Sequence, residues 1–74
     1  MNEKVMPNNL EAEQSALGSM FLSKYALQKC MESLTKDMFY NDANGKIFSA
    51  MCSLYEEGTS IDITTVTAYL DKKG

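Results

Sequence analysis

The sequence predicts an all-α fold: a compact small helical domain of about four main helices plus a short helical turn, with orthogonal-type packing. Three observations carry that prediction. Apolar residues recur at three- and four-residue spacing in separate stretches. Each stretch follows an Asn, Ser or Asp that can cap a helix. Only residues 60–70 have the β-branched content of a strand, and no second strand-like segment exists to satisfy their backbone.

Residues 1–7 read as a flexible lead that Pro7 closes, and residues 8–74 as one helical head. Asn8 or Asn9 caps the first helix, because a short side-chain oxygen satisfies an orphan amide of the first turn. Glu11 and Glu13 then sit near the positive end of the helix dipole. Leu10, Leu17, Met20 and Phe21 share a face, with Gln14 between them, and the helix runs to about Leu22. Gly18 costs such a helix up to about 1 kcal/mol relative to alanine. It lies one residue from the Leu17 face and is expected to admit a closely packed neighbour; fraying of the helix at that point is the alternative.

Ser23 caps a second helix, striped by Leu27, Cys30, Met31 and Leu34. Thr35 opens the short turn TKDMFY, with Asp37 near its start. There Met38, Phe39 and Tyr40 form an apolar knot, expected to plug the core between two helices. Asn41 or Asp42 caps the third helix. Ala43, Ile47, Ala50, Met51 and Leu54 make its buried face, and Phe48, Cys52 and Tyr55 widen it. The Asn44-Gly45 pair ordinarily signals a hairpin. No alternating pattern flanks it, so it reads as the weak first turn of a helix. Gly58 follows Glu56 and Glu57 as the stop. Residues 60–70 read as a fourth helix, capped by Asp62 and stapled by Ile61 and Val66. Val66, Tyr69 and Leu70 continue its face, and residues 71–74 are its polar end.

Composition limits function. A core within 74 residues is marginal without disulfides, metal or partners. No apolar run approaches the roughly 20 residues of a membrane span. The N-terminus lacks a signal-type apolar core, so a soluble, cytoplasmic protein is expected. Cys30 and Cys52 sit in apolar stretches and read as reduced core thiols, with a disulfide between them left open. Histidine is absent, which disfavours a structural zinc site. The net charge is −3 and all seven basic residues are lysines. Lys4, Lys24, Lys29, Lys36 and Lys46 are scattered, and only Lys72 and Lys73 adjoin. A nucleic-acid surface would cluster them and use arginine. Tyr25, Tyr55 and Tyr69 could stack on bases, but no basic groove accompanies them.

No catalytic, cofactor-binding or metal-ligating residues emerge. The usual general base is missing with histidine. The ten carboxylates fall mostly at helix starts and ends, the solvated or capping use. Glu56 and Glu57 are adjacent and point in different directions. Gly45-Lys46 lacks the rest of a phosphate loop, since Tyr40 and Ile47 stand where Gly and Ser or Thr are needed. An interaction module remains. The six methionines suit surfaces that repack on partners, although Met51 suits the core better. Met20, Phe21, Met38 and Phe39 are more than so small a core easily hides. With Tyr40 they are the candidate partner-contact or core residues, and Gly18 is the candidate for helix close packing.

The stretch PNNLEAEQSALGSMFL, residues 7–22, resembles the opening signature of DnaB-type replicative helicases. The resemblance continues in order. Asp37-Met38-Phe39-Tyr40 is similar to that family's "-DFY" step. Lys46-Ile47-Phe48-Ser49-Ala50-Met51 is similar to its "-IFxAI-" helix. Gly58-Thr59-Ser60-Ile61-Asp62, followed by Thr65-Val66 and Leu70, resembles its last helical motif. Together these cover residues 6–74. Asn8 and Asn44 stand where members often carry histidine, and Met38 where an acidic residue often precedes the Phe. These departures are expected at surface positions. The resemblance implies the helical, non-catalytic N-terminal domain of a hexameric helicase, which forms a collar by self-association with other subunits and docks primase. A helicase loader is a further implied partner. A helical hairpin and an ATPase domain using ATP and Mg would lie downstream, which makes the chain a fragment of the head. The residues alone also support another class, a small helical interaction or regulatory module unrelated to helicases.

Overall fold

The computed structural model describes residues 9–73. The expectations for the lead, for Pro7, for Asn8 as a cap and for Gly74 fall outside them. The described chain forms α1 (Leu10–Leu22), α2 (Lys24–Ser33), a short 3-10 turn (Lys36–Met38), α3 (Asp42–Glu57) and α4 (Ile63–Lys73).

Local chemistry sets each boundary. The Asn9 side chain accepts the Ala12 N–H at 2.9 Å and starts α1. Ser23 serves two helices. Its N–H donates to the Ser19 carbonyl at 3.0 Å, ending α1. Its Oγ accepts the Ala26 N–H at 3.1 Å, starting α2. One extended residue therefore turns the chain between the two helices. Asn41 caps α3 through the Asn44 N–H at 2.9 Å. Gly58 ends α3 in the left-handed region at φ +76°, and the Thr59 N–H reaches back to the Leu54 carbonyl at 3.0 Å. Asp62 and Thr65 cap α4 reciprocally. Asp62 Oδ1 accepts the Thr65 N–H at 2.8 Å, and Thr65 Oγ1 accepts the Asp62 N–H at 3.0 Å. The strand-like composition of residues 60–70 yields to that cap.

The core gathers on α3. Phe48, Ala50, Met51 and Leu54 meet Leu17 and Met20 of α1, Leu27 of α2 and Val66 of α4. Met51 is wholly enclosed. The helix α1 packs on α2 and α3, while α4 and the 3-10 turn pack on α3. Cys30 and Cys52 are free, half-buried thiols beside this core. Burial pushes both thiols up, and the charge of Glu56 adds to the effect at Cys52.

Three expectations are corrected. Gly18 is exposed, a Cβ there would meet nothing within 4 Å, and α1 continues past it to Leu22. It neither admits a neighbour nor frays the helix. The close approach occurs at Gly45, where a Cβ would lie 3.2 Å from the Lys36 carbonyl oxygen and 3.6 Å from Phe39 Cβ. The inward face of α1 is Glu13, Leu17 and Met20, while Leu10 and Gln14 are exposed. On α3, Ala43 is exposed, and Asn44, Gly45 and Phe48 point inward. The 3-10 turn lies against the start of α3 and selects that arc.

Candidate interaction surface

The described residues bury one carboxylate, and its place explains the loop that carries three of the sequence candidates. Glu13 is 1% exposed. It lies one turn before Leu17 and two before Met20, at i, i+4 and i+7 on the buried face of α1. Its Oε2 accepts the Tyr40 N–H at 2.5 Å. Its Oε1 accepts the Asn44 side-chain amide at 3.0 Å and the Asn41 N–H at 3.3 Å. The carboxylate therefore meets the N-terminal end of α3, where backbone donors lack helical partners and the dipole favours negative charge. Burial alone would raise the Glu13 pKa. The Asn44 amide and the N–H groups of Tyr40 and Asn41 together outweigh it and hold the carboxyl below its ordinary value.

This hub revises two readings. Glu13 is not a solvated carboxylate of a first helical turn; it joins α1 to α3. Asn44 is not a surface position either, being 8% exposed and bonded to Glu13. Its departure from the family pattern falls on the hub itself. The spacing of Glu13 with Leu17 and Met20 was the available signal. A charged side chain on that face reads as solvated until its donors, from a segment 27 to 31 residues away, are in view.

With its backbone tied to Glu13, the segment after the 3-10 turn divides its side chains. Phe39 packs against the core, its ring centroid 5.1 Å from that of Phe48. Met38 and Tyr40 remain 42% and 62% exposed. The expected three-residue plug is therefore one residue, Phe39. The other two, Met38 at the end of the 3-10 turn and Tyr40 after the extended Phe39, point outward. Met20 is enclosed by the core, which hides more methionine than its size suggests. Phe21 is half-buried beside it.

Met20 and Phe21 also line a groove of about 320 Å³ with Lys24, Leu27, Tyr55 and residues 58–61. Gln28 of α2 donates to the Tyr55 hydroxyl at 2.6 Å, joining α2 to α3 beside it. Next to the groove, at the Ser23 turn, Leu22 is 89% exposed and Tyr25 69%. Neither is a protein-contact candidate from sequence, where Tyr25 is weighed only for base stacking. The Ser23 cap holds Leu22 and Tyr25, the backbone bond to Glu13 holds Tyr40 beside Met38, and both surfaces present exposed apolar area.

Residues 5–74 match the family model described as the DnaB-like helicase N terminal domain. The chain is 41% identical over 70 residues to the replicative DNA helicase DnaC of Bacillus subtilis, covering 95% of this chain and 15% of that protein. It is 42% identical over 69 residues to the replicative DNA helicase DnaB of Geobacillus stearothermophilus, covering 93% of this chain and 15% of the other. The crystal structure of the N-terminal domain of DnaB helicase from Mycobacterium tuberculosis is similar, with a TM-score of 0.86 at 43% identity. That likeness covers 92% of this chain and 49% of the other. The chain thus spans a small part of the length of the full relatives and about half of the solved domain.

Proposed function

Since the chain belongs to the DnaB-like helicase N-terminal domain family, we propose that it serves a replicative DNA helicase as a non-catalytic domain for ring assembly and primase docking. The observation that carries this reading is the structural likeness over 92% of the chain to a solved DnaB N-terminal domain. Membership in the family sets aside a helical module unrelated to helicases.

The partners are other helicase subunits, primase and a helicase loader, met through apolar patches in the cytoplasm. ATP and Mg belong to a motor domain elsewhere in the parent protein. The residues support a non-catalytic role in a positive way. Both oxygens of the Glu13 carboxylate are engaged by donors of its own fold, and at 1% exposure the group is closed to a substrate. Leu22 and Tyr25 on one side, and Met38 and Tyr40 on the other, supply the exposed apolar area.

Sedimentation equilibrium of the chain, alone and with the C-terminal domain of the cognate primase, tests the reading. Self-association or a complex with primase is expected. Replacing Leu22 and Tyr25, or Met38 and Tyr40, with serine should weaken it without unfolding the domain. A monomer that leaves the sedimentation of primase unchanged would remove both roles from these residues.

A further inference from the structure

The lysines that look scattered along the chain do not stay scattered once it folds. Lys36 of the 3-10 turn, Lys46 of α3 and Lys73 of α4 line one groove of about 320 Å³, and Ser49, Ala50, Tyr69 and Leu70 complete its wall. Helical spacing explains part of this. Lys46, Ser49 and Ala50 stand at i, i+3 and i+4 on α3, and Tyr69 and Lys73 at i and i+4 on α4. Gly45 adds to this, because its missing Cβ leaves room for the Lys36 carbonyl to lie close against α3. All the lining charges are positive, on a chain whose net charge is −3. Asp42 approaches Lys46 at 3.8 Å, but both side chains are more than half exposed, and such a pair holds the lysine weakly.

We propose that this groove docks an acidic peptide segment of a partner protein, one that carries an apolar side chain between its carboxylates. The apolar side chain rests against the half-buried Leu70, and the flanking carboxylates reach Lys36, Lys46 and Lys73. Charge complementarity selects an anionic occupant, and the apolar floor selects a peptide over a phosphate backbone. Two further features disfavour nucleic acid. The groove has no arginine for bidentate phosphate contacts. The Lys73 Nζ lies over one face of the Tyr69 ring, 5.7 Å from its centroid, and competes with a base for that face. The inference rests on the placement of these side chains and is independent of the helicase reading.

The test is a titration of the isotope-labelled chain with a synthetic peptide alternating glutamate and leucine, read by NMR of the backbone amides. Shifts should concentrate at Lys46, Ser49, Ala50, Leu70 and Lys73, and binding should weaken as salt rises. Lys36→Glu with Lys73→Glu should lower affinity about tenfold while the thermal melt stays in place. Lys36→Gln with Lys73→Gln should show a smaller loss and covers any disturbance of folding by charge reversal. Absent shifts, shifts centred elsewhere, or affinity unchanged in both variants would overturn the proposal. So would equal binding of polyglutamate without leucine or of a single-stranded oligonucleotide, which would make the groove a general anion site. Concentration-dependent shifts at the groove without peptide would assign it to a second copy of the chain and overturn the proposal too.

Discussion

Glu13 carries more of this fold than any other polar residue described. Replacing it with glutamine puts an NH2 donor in place of one acceptor oxygen, so at least one of its three donors, the N–H groups of Tyr40 and Asn41 and the side chain of Asn44, is left facing another donor. E13Q should therefore cost about 2 kcal/mol at neutral pH, measured by urea unfolding followed by circular dichroism. The pH dependence has a definite sign. The folded carboxyl lies below 4.5, the ordinary value it returns to on unfolding, so the unfolded chain takes up the proton first as pH falls. The stabilisation is complete above about pH 4.5 and drains away as pH drops through the folded value. Between neutral pH and that acid range, the urea midpoint of the native chain should fall further than that of E13Q. Parallel curves would mean that Glu13 titrates alike in both states.

At the scale of elements, two glycines in helices behave oppositely, and the reason is their surroundings. Gly18 faces open space in the middle of α1. Gly18→Ala should raise stability by about 0.5–1 kcal/mol, the ordinary helix-propensity gain. Gly45 lies under the Lys36 carbonyl, which also accepts the Phe39 N–H at 3.2 Å and cannot easily retreat. Gly45→Ala should lower stability by about 1 kcal/mol, because the clash outweighs the same gain. Thermal melts of the two variants beside the native chain decide both. The start of α4 offers a third case. Asp62→Ala removes one arm of the reciprocal cap and should cost about 1 kcal/mol, with helix content falling only over α4.

For the whole molecule, the useful contrast is between Phe39 and its neighbours. Phe39 stacks on Phe48 and closes the core over the start of α3. Phe39→Ala should cost about 3 kcal/mol, enough to unfold much of so small a domain, since single domains of this kind hold only about 5 kcal/mol or a little more. Tyr40→Ser should change stability by less than about 0.5 kcal/mol, because its ring is exposed and its backbone bond to Glu13 survives. If Tyr40→Ser nonetheless weakens self-association or primase binding, the outward face of this loop is a working interface. If binding persists and stability drops, the ring packs more tightly than its exposure implies.

Helix number, order and most boundaries were legible because they depend on local chemistry. Asn9, Ser23, Asn41 and Gly58 act on amides and carbonyls within four or five residues of themselves, and so does the Asp62–Thr65 pair. Family membership was legible for the same reason, as motifs in fixed order along the chain. The sequence could not show which side of each helix turns inward once neighbours compete for it. Glu13 and Asn44 are buried because α1 and α3 meet end to side, bringing donors and acceptor together across 31 residues. Gly45 matters and Gly18 does not because the 3-10 turn crosses α3 and nothing crosses α1 at Gly18. Three lysines share a groove because the helices that carry them pack together. The sequence by itself determined the elements and the family. The tertiary structure alone decided the buried charge, the close contact and the basic groove, since each depends on atoms that only packing makes neighbours.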